Sequence, residues 1–299
     1  MATLQLPSHL PSLDGVRGLA IMLVLMHNFL ILGKPSGLFA QYVGYVMNVG
    51  WIGVRLFFVL SGFLITRILL ETQDAPNYYS AFFARRVLRI FPLYYAALFL
   101  VFFIWPAFGS APPVLAQDHS VWLWLYVSNW TMPLGLGGGS MPHFWSLAVE
   151  EQFYLIWPFL VHRRSARQVL LLCLVLALIG LGLRTALLAQ AVSPELIYTI
   201  TPSQFDSLAL GGALAAVLKL PGVLSKLVER RRSVLAAAVL IALAGWVITH
   251  GYPRTTLLGQ TLGYTLLAIV FTLGIAAALG GECAPRARWT AWLDRKSVV

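Results

Sequence analysis

Long apolar runs recur at short intervals along this chain, and several reach about 20 residues, the length at which a helix crosses a bilayer. Lipid offers no hydrogen-bond partners, so a chain of such runs satisfies its backbone only as helices or as a closed barrel, and runs this long suit helices. The runs are residues 13–32, 51–70, 91–109, 144–161, 168–190, 200–218, 233–249 and 256–280. Charged residues make up only 11% of the 299, against about 25% in a soluble domain. The expected fold is therefore all-α: a polytopic integral membrane bundle of about 8–9 membrane segments in a single domain, 1–299. The first run has no small-residue cleavage site and is too long for a signal h-region, so it is expected to stay in the protein.

A net charge of +10 raises the question of nucleic acid. The basic residues instead cluster between apolar runs, as in cytoplasmic loops, so no nucleic-acid partner is expected. Fifteen of them (Arg85, Arg86, Arg89; Arg163, Arg164, Arg167; Lys219, Lys226, Arg230, Arg231, Arg232; Arg286, Arg288, Arg295, Lys296) fall on one side if residues 121–134 do not fully cross. The other side then holds only Lys34 and Arg254. If 121–134 crossed, every later cluster would flip. The asymmetry predicts a half-span or interfacial segment there and a cytoplasmic N-terminus; the expected location is the inner (plasma) membrane. Cys173 and Cys283 lack metal-ligand spacing, and neither a disulfide nor a metal site is expected.

Ionisable residues inside apolar runs are costly and mark candidate function. Asp14 and Arg17 sit one turn apart at the foot of the first run and can pair. His27 lies about 20 Å above Asp14. With the topology above, Glu150 lies about 9 Å and Asp206 about 8 Å below the outer edge, so the three would share one layer in the outer half. A histidine and a carboxylate at one depth suit general acid–base chemistry; packing and chance alignment are the alternatives.

Five segments then speak together: LDGVRG (13–18) with the following His27, GWIGVRLFFVLSGFLIT (50–66), FFARRVLRIFPLYY (82–95), FWSLAVEEQFYLIWP (144–158) and TPSQFDSLALGGAL (201–214). In this order they resemble membrane-bound acyltransferase family 3, the bacterial O-acyltransferases of cell-surface sugars. The resemblance implies a core of about ten helices, an acyl-CoA donor, a carbohydrate or other hydroxyl acceptor, no permanently bound cofactor, and functional parts for Arg17, His27, Arg86, Arg89 and Glu150. The chain departs from the pattern at Arg55, where many relatives carry an acid, and at Gln204, where an arginine often precedes the acid by two. Relatives usually continue for one or two helices beyond a segment like WTAWLDRKSVV (289–299), so the domain is expected to lack those helices.

The roles follow from the chemistry. Arg86 and Arg89, three apart on one helical face, suit the coenzyme's phosphates; a positive-inside anchor is the alternative, and the better reading of Arg85. Arg17 extends that entrance or simply pairs with Asp14. Neutral His27 takes the acceptor's proton as it attacks the thioester, and Glu150 orients the imidazole and stabilises the imidazolium. Glu151 points about 100° away and should not share that role. Oxyanion donors are sought among Ser61, Trp145, Ser146 and Gln152. Asp206 binds acceptor hydroxyls or pairs with Arg55. Ser61 and Gly62 read first as small residues for close helix packing. Trp122, Trp124, Trp130, Trp145 and Trp157 read as interfacial aromatics, with sugar stacking as the alternative. The expectation is a membrane O-acyltransferase moving an acyl group, acetyl by family frequency, from acyl-CoA to a hydroxyl of a surface or lipid-linked carbohydrate. The alternatives are a transporter or flippase of lipid-linked sugars and a non-catalytic assembly subunit.

Overall fold

The computed structural model describes residues 6–7, 10–29, 49–108, 120–131, 133–134, 141 and 143–283. The expected outer loop with Lys34, the basic cluster from Arg286 to Lys296 and the final segment 289–299 lie outside the described residues. In chain order the helices are α1 (Pro11–Phe29), α2 (Ile52–Thr72), α3 (Tyr78–Phe99), α4 (Val121–Trp124), α5 (Phe144–Val161), α6 (Ala166–Ala189), α7 (Pro194–Thr199), α8 (Phe205–Leu218), α9 (Val223–Thr249) and α10 (Tyr264–Glu282). A π turn, Leu100–Ile104, carries α3 on to Ala107, and another, Gly259–Gly263, leads into α10. No strand occurs among the described residues. Five helices are long and apolar enough to cross a membrane: Ile52–Thr72, Tyr78–Ala107, Ala166–Ala189, Val223–Thr249 and Gly259–Glu282. The protein is an all-helical, multi-pass membrane bundle. The other long helices, α1, α5 and α8, have 19, 18 and 14 residues and fall short of that length or apolarity.

The helices alternate in direction. Near one end the start of α1 meets the end of α10, where Ser12 bonds to Glu282. There too the Tyr78 hydroxyl at the start of α3 donates to the Pro158 carbonyl near the end of α5 (3.1 Å). Exposed Arg163, Arg164, Arg167, Lys219, Lys226, Arg230 and Arg232 crowd this basic end. Ser165 caps α6 there, its hydroxyl accepting from the Gln168 amide while its own N–H donates to the Gln168 side chain (2.9 Å). At the far end, α2 begins beside the top of α1: a Cβ on Gly50 would come within 3.0 Å of the His27 backbone.

Residues 121–131 hold no helix long enough to cross a membrane. Four residues of helix rise only about 6 Å, and a 3₁₀ turn, Ser128–Trp130, follows. A polar clasp holds this segment to α5. The Gln152 amide donates to the Tyr126 carbonyl (2.9 Å) and to Asn129 Oδ1 (2.8 Å), and Asn129 donates to Thr201 (3.0 Å).

Two expected boundaries are corrected. The third membrane helix starts at Tyr78 rather than 91, so Arg85, Arg86 and Arg89 lie within α3 and not in a loop. The helix runs through Pro92. Likewise α9 starts at Val223 rather than 233 and takes in Lys226 and Arg230–Arg232; arginine and lysine are good helix formers, so helices extend past their apolar cores.

The centre of the bundle is the crossing of α2 and α8. A Cβ on Gly62 would lie 1.9 Å from the Leu208 carbonyl oxygen, and one on Gly211 would lie 1.9 Å from that of Val59. Backbone touches backbone in both directions, which only glycine permits. Trp157 is not interfacial: it is 1% exposed, and its indole donates to Thr66 (2.9 Å).

Candidate functional site

Two buried ionic centres flank this crossing. At the far end of α2, Arg55 reaches across to the start of α8. Its guanidinium donates to Ser207 Oγ (2.8 Å), Gln204 Oε1 (3.0 Å) and Asp206 Oδ1 (3.3 Å), and lies 3.8 Å over the Tyr264 ring. Arg184 of α6 completes the centre. It donates to Asp206 Oδ2 (2.6 Å), to Thr265 (2.8 Å) and to the Gln260 carbonyl (2.8 Å). That carbonyl belongs to the π turn before α10, whose widened ladder frees main-chain oxygens. Thr265 and the Ser207 N–H also donate to Asp206 (2.9 and 2.8 Å). Arg55, Arg184 and Asp206 are all 0% exposed. Of the two roles open to Asp206, the geometry favours the ion pair: both oxygens are occupied, and Arg184 is a second cationic partner.

The second centre lies deeper, where α2, α3 and α5 meet. Glu150 is buried at the middle of α5. The hydroxyls of Ser61 on α2 and Tyr154, one turn along α5, are its hydrogen-bonding neighbours, and Ser61 and Tyr154 bond to each other. The Arg86 guanidinium from α3 lies 3.9 Å over the Tyr154 ring and within electrostatic reach of Glu150 and Glu151. Glu150 Oε1 is buried with no hydrogen-bond partner among the described residues. Glu151 faces away toward Tyr95 and Tyr126, as the helical rotation requires.

The remaining candidates sit apart from these centres. Arg17 pairs with Asp14 at 3.6 Å, half-exposed near the start of α1. Arg89 is exposed, whereas Arg86 is half-buried. His27 is half-buried beside the start of α2. Ser61, the neighbour of Glu150, lies eleven residues beyond Gly50, about 16 Å along the helix. The backbones carrying His27 and Glu150 are therefore held at two levels of α2 rather than in the single layer expected. Both helices point their side chains toward their own N-termini, so the two groups lean toward each other across that interval.

Among the oxyanion candidates, Gln152 is taken up by the clasp. Ser146 donates to the His143 carbonyl at the exposed start of α5 (3.1 Å), and Trp145 packs on Phe58 and Tyr198. Ser61 alone of the four stands at a centre. Sequence reasoning passed over Arg184 and Tyr154. The signal for Arg184 was present, since it is the one charged residue in the apolar run 168–190. Tyr154 could be found only as the residue one turn from Glu150. No group of histidines, cysteines and acids that could hold a metal occurs among the described residues.

The buried carboxylate, the inward arginine and the multi-pass scaffold belong to a chain that matches the acyltransferase domain family over residues 10–297, and the chain is a member of that family. It is 33% identical over 233 residues to the peptidoglycan O-acetyltransferase OatA of Listeria monocytogenes, covering 70% of this chain and 34% of the relative. It is 28% identical over 258 residues to the O-acetyltransferase OatA of Staphylococcus aureus (81% and 40%). It is 30% identical over 224 residues to the putative peptidoglycan O-acetyltransferase YrhL of Bacillus subtilis (70% and 33%). The chain thus spans roughly a third to two fifths of the length of the curated relatives it matches. No solved structure matches it.

Proposed function

We propose that this chain is the membrane part of an O-acyltransferase that takes an acyl group, acetyl by analogy with its relatives, from acyl-CoA and places it on a hydroxyl of a cell-envelope carbohydrate. The observation that carries the reading is Glu150, a carboxylate buried in a membrane bundle with one oxygen unsatisfied, in a member of an acyltransferase family. A structural acid in such a place would have both oxygens bonded, as Asp206 has.

The basic end faces the cytoplasm of a plasma-membrane protein by the positive-inside rule, which puts the N-terminus of α1 there. Coenzyme A arrives on that side. Of the R-x-x-R pair, exposed Arg89 offers its guanidinium fork to the phosphates, with Arg17 widening the same entrance, and Arg86 links that entrance to Glu150. The acyl arm rises along α2 toward the far end. There His27 removes the proton of the acceptor hydroxyl as its oxygen attacks the thioester carbonyl. The tetrahedral intermediate collapses, the C–S bond breaks, coenzyme A leaves as thiolate, and the proton passes from the imidazolium to thiolate or solvent. Glu150 favours the imidazolium from below at long range, across the interval between the two levels. Asp206 acts on the acceptor side only by holding Arg55 and Arg184 in place. The reaction needs no permanently bound cofactor.

The test is acetyl-CoA turnover by the purified protein with a carbohydrate acceptor. His27→Ala should lower the rate by roughly 10²–10⁴-fold while acetyl-CoA binding is retained. Normal turnover by His27→Ala would remove the histidine from the mechanism. Failure of the parent protein to release coenzyme A would remove the reaction itself.

A further inference from the structure

We infer that Arg86 is not a phosphate receptor but the positioning residue of the Glu150 centre, acting through the stacked ring of Tyr154 and the hydroxyl of Ser61; this rests on the acyltransferase reading above. The two arginines of the R-x-x-R pair point to different surroundings. Arg89 is exposed. Arg86 lies eight residues, about 12 Å, beyond the start of α3 and turns into the bundle. One face of its guanidinium is covered by the Tyr154 ring at 3.9 Å. Tyr154 is 2% exposed, and its hydroxyl meets Ser61 beside Glu150. The side chains form a chain across three helices: Arg86 on α3, Tyr154 and Glu150 on α5, and Ser61 on α2.

The charges around Arg86 point the same way. The acids within its reach are Glu150 and Glu151, and it makes no direct ion pair with either among the described residues. A coenzyme phosphate drawn to Arg86 would face two carboxylates, whereas one at exposed Arg89 would not. A cation over a tyrosine face in a desolvated site holds the ring in one orientation. The ring then fixes its hydroxyl, the hydroxyl fixes Ser61, and the pair leaves Glu150 with one oxygen toward its neighbours and Oε1 unsatisfied. Arg86 thus sets where the carboxylate stands without touching donor or acceptor.

The experiment compares Arg86→Ala, Arg86→Lys, Arg89→Ala, Tyr154→Phe and Tyr154→Leu in the full-length protein, reading acetyl-CoA affinity, KM, kcat and melting temperature. For Arg86→Ala, donor affinity and KM should stay within about twofold of the parent while kcat falls tenfold or more. Arg86→Lys should recover most of kcat, because an ammonium also sits over an aromatic face, although it lacks the fork a phosphate needs. Arg89→Ala should do the reverse, weakening donor binding with kcat little changed. The double variant Arg86→Ala with Tyr154→Phe should turn over no more slowly than the worse single, as for residues acting as one unit. Donor affinity lost equally in Arg86→Ala and Arg89→Ala, or multiplicative losses in the double variant, would overturn the assignment. The melting temperatures separate the two readings. If the parent protein transfers no acyl group, the function fails; if Arg86→Ala and Tyr154→Leu also melt independently, with no coupling, the side-chain chain fails on its own account.

Discussion

The Arg55–Arg184–Asp206 centre and the Glu150–Tyr154–Ser61–Arg86 centre share α2, and both bury charge in apolar surroundings, yet they are built on opposite rules. In the first, the carboxylate accepts from two guanidinia, a hydroxyl and a main-chain N–H. In the second, a carboxylate oxygen is buried without a partner, and the cation stands off behind an aromatic ring. A saturated polar network rigidifies a fold, while an unsatisfied buried group costs free energy and persists where something else requires it. On the function proposed above, the contrast separates the acid that holds the bundle together from the acid kept for chemistry, though both lie inside helices.

The largest expected effect comes from Asp206→Ala. It strands two buried guanidinia and should destabilise the protein by about 3–5 kcal/mol, seen as lost folded yield in detergent and a lowered melting temperature. Glu150→Gln, with the same burial, should melt at or above the parent temperature and yet turn over about a hundredfold more slowly, about 2.7 kcal/mol in barrier. If Glu150→Gln unfolds the protein while Asp206→Ala does not, the two centres have exchanged roles. Gly211→Ala tests the scaffold between them: its methyl would be forced onto the Val59 carbonyl, and overpacking of this kind costs about 1–3 kcal/mol. Both functions should suffer together in a melting and turnover series. Smallest is Trp157→Phe, which removes the indole bond to Thr66 and should cost about 1 kcal/mol in stability, with turnover unchanged.

Much of this was legible in the sequence, for definite reasons. Apolar run lengths placed α2, α5 and α6 within a few residues, because the ends of the apolar runs lie close to the ends of those helices. Gly62 as a packing residue followed from its small size in an apolar run. Arg55 as a partner for Asp206 is one of the two expected roles of that acid, and the structure pairs them at 3.3 Å. What stayed hidden depends on the rotation and level of helices against one another. Arg86 and Arg89 share a face in isolation, but packing of α3 on α5 turns one toward Tyr154 and leaves the other exposed. Arg184 meets Asp206 only because α6 brings it beside the π turn before α10. The expected single layer of His27, Glu150 and Asp206 assumes helices starting at equal heights, whereas Gly50, in the turn before α2, and Ser61, within α2, meet their partners at two heights.

The reciprocal contact of Gly62 and Gly211 has a mechanical meaning. Two helices whose main chains touch in both directions cannot slide past one another, because each carbonyl is notched into the space where the other's side chain would be. They can still tilt, and the notch is then the fulcrum. Arg55 and Asp206 lie on the far side of it, while Ser61 stands beside it next to Glu150. A load on the far arm is carried along α2 toward the carboxylate through a joint that neither stretches nor slips.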